Sequence, residues 1–202
     1  MATRNYTDIT ITVKVKLTDQ IPVGLKDGTE VTLTNNILTY GEPLSKLAFN
    51  KAEFVDDDGK PVEGTLAWKD AAATPNAGTT GATWIFTPTD KAYASVEGTA
   101  SITVNKAVPA VSAAPAVAGR VYGPSATQQD SDLEGGTVNV PGTWGWQKAG
   151  IIPAVDNSGY EAVFTPKDTT NYETVTRTIT VNVTKATPYI AGLPAAAAIT
   201  YG

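Results

Sequence analysis

Between Ile9 and Leu17 every odd-numbered position is apolar, while Thr10, Thr12, Lys14 and Lys16 fill the even ones. A period of two predicts a strand with one buried face. The same strand is written three times. Counted from Tyr6, Tyr93 and Tyr172, apolar residues recur in order as Ile9, Val96 and Val175, then Val13, Ala100 and Ile179, then Val15, Ile102 and Val181, then Leu17, Val104 and Val183. Pro22, Pro109 and Pro188 close the three copies. Self-similarity at a fixed spacing predicts a repeat array, in which one structural unit recurs along the chain.

Other landmarks keep the same order. Phe86–Asp90 (FTPTD) returns as Phe164–Asp168 (FTPKD), 78 positions later, and Gly64–Trp68 (GTLAW) returns as Gly142–Trp146 (GTWGW) at the same shift. A Tyr-Gly pair stands at Tyr40-Gly41, Tyr122-Gly123 and Tyr201-Gly202. The unit is therefore about eighty residues. Within the first full unit, strands are expected over Val31–Leu33, Leu47–Val55, Gly64–Trp68 and Thr83–Thr87, with matching strands in the second. Turns are expected at Asp58–Pro61, Asn76–Gly78 and Asn157–Gly159, where Gly, Asn, Asp and Pro supply the backbone that turns require. The loop after Pro22 is five residues longer than its counterpart after Pro109, with the extra turn at Leu25–Thr29. Ala110–Ala118 shows no sustained helical period, and Pro109 and Pro115 would interrupt one.

Short strands separated by turns predict two-sheet β-sandwiches with Trp68 and Trp146 as core anchors. The expected division is residues 1–22 as the last strand of a preceding repeat, 23–108 as repeat 1, 109–187 as repeat 2 and 188–202 as the start of a third. That phase predicts a piece of a longer protein, with export and anchoring signals elsewhere. The opening strand lacks the rest of its own unit, so either it pairs with the following unit or it leaves an open edge.

Composition narrows the chemistry. The 202 residues hold 18 Gly and 13 Pro, 42% are hydrophobic, and a formal net charge of -5 comes without any basic cluster. A nucleic-acid partner is not expected, because phosphate binding needs clustered Lys and Arg. Histidine and cysteine are both absent, which removes the commonest general base, thiol catalysis, disulfides and the usual transition-metal ligands. No run of about twenty apolar residues predicts a membrane span. No catalytic, cofactor-binding or metal-binding residues are assigned, and no cofactor is expected.

Several residues admit sharper readings. Trp144 and Trp146 could form a platform for stacking sugar rings, but residues two apart on a strand share a face, which favours the core. Trp84 shares a face with Phe86 and corresponds to Ala162, so it either fills space peculiar to the first core or lies at a sheet edge. Asp56, Asp57 and Asp58 before Gly59 suggest a calcium loop, yet their spacing is irregular and Asp130 and Asp132 do not repeat it, which favours a solvated turn. Asp90 and Asp168 could be a carboxylate pair for glycoside hydrolysis, but each follows Thr-Pro, where aspartate commonly caps its own turn. Lys106 and Lys185 could enter isopeptide crosslinks, although Asp19 occupies the equivalent place in the first copy, so an exposed lysine at a strand exit is the favoured reading.

The order Tyr-Gly, Gly-Thr-x-x-Trp, Phe-Thr-Pro-x-Asp, Asn-Tyr or Ala-Tyr, an alternating strand and then Lys-Ala-x-Pro resembles the bacterial immunoglobulin-like tandem repeats of the MBG/YDG type. The resemblance runs from Asn5 onward and implies all-β, immunoglobulin-like sandwich domains placed end to end in a Gram-positive cell-surface protein. It brings no shared catalytic residues. The expected function is a non-catalytic structural spacer of an adhesin-like, extracellular, wall-attached protein, whose partners are the neighbouring repeats of its own chain. The alternative is a binding module that engages a host or dietary glycan, or a host protein, through loops or an aromatic edge.

Overall fold

The computed structural model describes residues 19–192 and 201–202. The expected strand Ile9–Leu17 lies outside the described residues. The described chain is all-β, and it divides into two compact units. The first takes in the described residues to Leu38, then Glu42–Pro75 and Thr79–Thr103; the second takes in Thr39–Gly41, Asn76–Gly78 and the described residues from Val104 onward.

Six strands carry the first unit: β1 (Val23–Leu25), β2 (Ile37–Thr39), β3 (Phe54–Asp56), β4 (Gly64–Trp68), β5 (Gly78–Pro88) and β6 (Val96–Asn105). Thr39, Gly78 and the last two residues of β6 count with the second unit. One sheet has the order β2-β6-β5-β4, and β1 pairs antiparallel with β3 in another. The alternation read in the sequence fixes the face that β6 buries. Ala100, Ile102 and Val104 are all buried, with Ile102 wholly inaccessible, while their neighbours Thr99, Ser101 and Thr103 are exposed or only partly covered. The two sheets meet through aromatic rings. Phe54 stacks on Phe86 at a centroid distance of 3.8 Å and an interplanar angle of 8°, and Trp84 meets Phe54 edge-on at 6.0 Å. Trp68 packs against Phe49 and donates its indole N–H to the Leu47 carbonyl at 3.0 Å.

The second unit holds β7 (Val111–Ala116), β8 (Arg120–Val121), β9 (Glu134–Val138), β10 (Gly142–Trp146), β11 (Tyr160–Pro166), β12 (Val175–Ile179) and β13 (Val183–Thr184). β10, β11 and β12 form an antiparallel sheet, β7 pairs antiparallel with β9, and β13 runs parallel to β8. Trp146, Ala162, Ile179, Val181 and Val183 form the buried cluster, with Leu133, Trp144 and Tyr160 packed against it. Although the regular strand β12 ends at Ile179, the alternation of burial continues through Val181 to Val183.

Two strand pairs, one in each unit, match in register. β4 opposes β5 with Gly64 across from Pro88 and Trp68 across from Trp84; β10 opposes β11 with Gly142 across from Pro166 and Trp146 across from Ala162. Trp146 donates its indole N–H to the Gln129 carbonyl at 3.1 Å, as Trp68 does to Leu47. In both units the glycine that opens the Gly-Thr strand lies under a phenylalanine ring. A methyl on Gly64 would sit 2.5 Å from the Phe86 ring and from the Thr87 carbonyl oxygen, and a methyl on Gly142 would meet Phe164 and the Thr165 carbonyl in the same way.

Two expected strands are shorter than the hydropathy pattern suggests. Val31–Leu33 contributes a single bridge, Leu33 to Phe49, and Leu47–Val55 yields only that bridge and β3. Leu47–Val55 divides its backbone pairing between two partners: around the bridge the Thr34 N–H donates to the Ala48 carbonyl and the Asn50 N–H to the Thr32 carbonyl, both at 2.9 Å, with the Asn50 amide also bonding the hydroxyls of Thr32 and Thr34, whereas β3 pairs with β1. β7 forms despite Pro115, which is buried within it and faces Gly135 across a pairing already irregular between Val111 and Ala113. Lys26–Thr29 makes the expected extra turn, with the Thr29 N–H on the Lys26 carbonyl at 3.0 Å and Gly28 at φ 74°.

Because carbonyl oxygen and ring both stand where a methyl would go, Gly64→Ala and Gly142→Ala should each destabilise their own unit by about 1–3 kcal/mol. Gly24→Ala, which meets nothing within 4 Å, should stay within about 0.5 kcal/mol. Calorimetric unfolding of the three variants checks this, and a Gly142→Ala protein as stable as the parent would contradict the packing described.

Candidate functional site

The tryptophans lie mostly inside. Trp68, Trp84 and Trp146 are buried. Trp144 is half-buried, tilted against Phe164 at 5.5 Å and packed on the second core, so it shares the face of Trp146. Trp84 owes its place to Gly98, since a methyl there would overlap the indole ring. In the second unit Ala162 stands opposite Arg177, so a large–small pair has become a small–large one.

Asp56, Asp130 and Asp132 each accept backbone N–H groups. The Asp56 carboxylate accepts the N–H groups of Asp58 (3.1 Å) and Lys60 (2.9 Å) and the Tyr93 hydroxyl (3.2 Å). Asp130 accepts the Trp146 N–H at 2.7 Å, and Asp132 accepts the Gln129 N–H at 2.8 Å and pairs with Arg120 at 3.1 Å. Among the described residues no group of three or more carboxylates is placed to hold a metal ion. The Gln129 N–H, followed by the Arg120 guanidinium working against the opposing effect of burial, holds the Asp132 carboxyl below its usual range.

Asp90 and Asp168 head a loop that performs a second task. The Asp90 side chain accepts the Ala92 N–H at 2.9 Å, and Asp168 accepts the Asn171 N–H at 3.2 Å. These turns present the backbone around Tyr93 and Tyr172 to an incoming segment, with which each tyrosine forms a parallel bridge: Ile21 to Tyr93, and Ala107 to Tyr172. The Ile21 N–H donates to the Ala92 carbonyl and its carbonyl accepts the Ala94 N–H, both at 2.8 Å. Ala107 donates to the Asn171 carbonyl and accepts from Glu173, both at 2.9 Å. The residue before each adds a side-chain bond, Gln20 Nε2 to the Lys91 carbonyl at 2.9 Å and Lys106 Nζ to the Thr169 carbonyl at 2.8 Å. One clasp thus occurs in each unit, and in each the seated residues belong to the same compact unit as the loop.

Counting back from the prolines sets Asp19 opposite Lys106; the clasp sets Gln20 there instead. Val108 separates Ala107 from Pro109, whereas Ile21 adjoins Pro22, and the Asp168–Tyr172 loop is itself one residue longer than Asp90–Tyr93. The second unit adds further contacts around its loop. Buried Asn171 donates to Asp168 Oδ2 at 2.8 Å and to Asn76 Oδ1 at 3.3 Å and accepts the Ala77 N–H at 2.8 Å, while Tyr40 meets Tyr172 edge-on at 5.3 Å. Ala92 stands at the place of Asn171 in the first loop. The roles of Ile21, Ala107 and Asn171 were not drawn from the sequence, where Lys-Ala-x-Pro and Asn-Tyr appeared as landmarks with nothing to join them.

Each unit also has a groove of about 410 Å³ beside its glycine-covering phenylalanine. Lys26, Glu53 and Pro61 line the first near Gly64 and Phe86; Gly136, Pro141 and Trp144 line the second near Gly142 and Phe164. Lys26 and Glu53 form an ion pair at 2.7 Å at the first. No family model matches the chain, and no curated protein matches it.

Two outcomes follow from this chemistry. Ala107→Pro removes the N–H that reaches Asn171, so the second unit should lose about 1–3 kcal/mol, with faster exchange of the Glu173 amide and no change at the Ala94 amide; amide hydrogen exchange resolved by residue reads this. A depressed aspartate contributes stability above its unfolded pKa of about 3.9 that is lost as pH falls through the lower folded value. The melting advantage of the parent over Asp132→Asn should accordingly be full near neutral pH and vanish in strong acid, and a pH-independent difference would contradict it.

Proposed function

We propose that this chain is a non-catalytic spacer made of tandem immunoglobulin-like β-sandwich repeats, part of a bacterial cell-surface, adhesin-like protein and outside the cell. The clasp carries this reading. In each unit a residue one or two positions ahead of the proline is held by two backbone hydrogen bonds, and the residue before it adds a side-chain bond, so the stretch leading to the proline has a fixed place on its own unit. A chain that must hold something at a distance benefits from junctions with few accessible conformers. The fate of the other candidate residues agrees. Asp90 and Asp168 are engaged by backbone N–H groups, and three of the four tryptophans are buried.

The test combines a broad glycan array, tryptophan fluorescence titration and a screen of glycoside substrates, all on the full chain. The spacer reading expects no bound glycan, no fluorescence response and no hydrolysis. A glycan-dependent fluorescence change lost in Trp144→Ala would replace it with the binding-module reading, and hydrolysis lost in Asp90→Asn or Asp168→Asn would replace it with an enzyme.

A further inference from the structure

Lys106-Ala107-Val108-Pro109 is seated in a clasp; Lys185-Ala186-Thr187-Pro188 is the same sequence but for one residue, and it is exposed throughout. The geometry leading into the two segments is also the same. Val104 and Val183, each two residues before the lysine, are buried in their cores at 3% and 5% exposure. The residue between accepts a tyrosine N–H through its carbonyl: Asn105 from Tyr40 at 2.8 Å, and Thr184 from Tyr122 at 2.9 Å. Tyr40 then places its ring on Tyr172. Tyr122, its counterpart, is 50% exposed.

We propose that Lys185–Thr187 together with the Tyr122 ring is a docking surface for a further repeat of this same kind, entered through that repeat's aspartate–tyrosine loop. This rests on the spacer reading and specifies the partner that reading requires. In the docked state Ala186 donates its N–H to the carbonyl of the residue before the loop tyrosine and accepts the N–H of the residue after it. Lys185 reaches the carbonyl next to the loop aspartate, and the loop tyrosine meets Tyr122 edge-on. The chain itself shows what such a segment selects. Gln20-Ile21 and Lys106-Ala107 share no side chain, yet both occupy loops of this type with the same backbone bonds. Recognition therefore lies in an extended backbone and a tyrosine-bearing turn, the β-augmentation mode reduced to one residue.

Joining a second copy of residues 109–187 directly after Thr187 keeps the Lys-Ala-x-Pro register and supplies the loop. Amide hydrogen exchange should then show Ala186 slowed at least tenfold relative to the 202-residue chain, approaching Ala107, and Ala186→Pro in the lengthened chain should speed exchange at the appended copy of Glu173 without affecting that copy of Phe164. Ala186 exchanging equally fast in both chains, with the appended core protected, would overturn the proposal. So would association of the 202-residue chain with itself through Tyr122, which would make a second copy the occupant. Val108→Thr needs no appended repeat. It gives the seated segment the sequence of the exposed one and should leave Ala107 and Glu173 protected within about threefold; their deprotection would show that Lys185–Thr187 does not fit such a loop. Glycan binding or hydrolysis would end the spacer reading while leaving all these exchange rates unmoved.

Discussion

Two demands meet at one residue in each unit: an incoming segment must be seated, and the loop between two core strands must be held. A single residue satisfies both by donating its N–H to one side of a tyrosine and accepting from the other. Backbone groups left unpaired at such a place would cost about 1–3 kcal/mol each if buried, so the loop and the incoming segment are completed by each other. The aspartate that opens the loop is part of the same arrangement, because its carboxylate fixes the turn that aims the carbonyl. This explains why phenylalanine, aspartate and tyrosine recur together and why the recurrence tolerates an added residue between aspartate and tyrosine.

The cores obey a different constraint, the room that a glycine leaves for a ring on the neighbouring strand. Phe86 and Phe164 each occupy the space above a glycine on the neighbouring strand, which hides backbone that glycine would leave open. Trp84 repeats the device over Gly98, and the second unit abandons it, with Ala162 across from Arg177. Close packing makes these substitutions interdependent, since a ring added without a side chain removed would overfill the sheet. The two cores are thus alike in register and different in filling. The same strand pairing accommodates two different fillings.

Much of this was legible in the residues. The alternating strand announced which face β6 buries, Gly64–Trp68 appeared with the bounds it has, and the correspondence of Trp84 with Ala162 offered two alternatives, a filling peculiar to the first core or a sheet edge, of which the buried indole selects the first. Other parts were hidden for physical reasons. Leu47–Val55 reads as one strand by hydropathy, but its backbone pairs with two different segments, Thr32–Thr34 at one end and Val23–Leu25 at the other, which hydropathy does not reveal. Gln20 could not be matched to Lys106 from spacing, because a one-residue difference in the linker and another in the loop shift the alignment. The clasp itself joins positions some seventy residues apart in sequence through backbone atoms, which leave no trace in side-chain identity.

A clasp made through backbone atoms accepts different side chains at its seat. A contact read by side chains would have to preserve them, yet glutamine and lysine serve equally to reach a carbonyl, and isoleucine and alanine equally to bridge a tyrosine. What must be kept is the turn that presents the loop, an extended residue without proline at the seat, and a proline shortly after it to end the pairing, because proline offers no N–H to continue a ladder. Asn171 is an elaboration on this minimum. Its amide uses both ends, donating to Asp168 and Asn76 and accepting from Ala77, so the second loop is tied to its surroundings through this side chain, where the first has alanine and uses the Tyr93 hydroxyl on Asp56 instead. The backbone supplies the common joint, and side chains such as Asn171 adjust how firmly each copy is held.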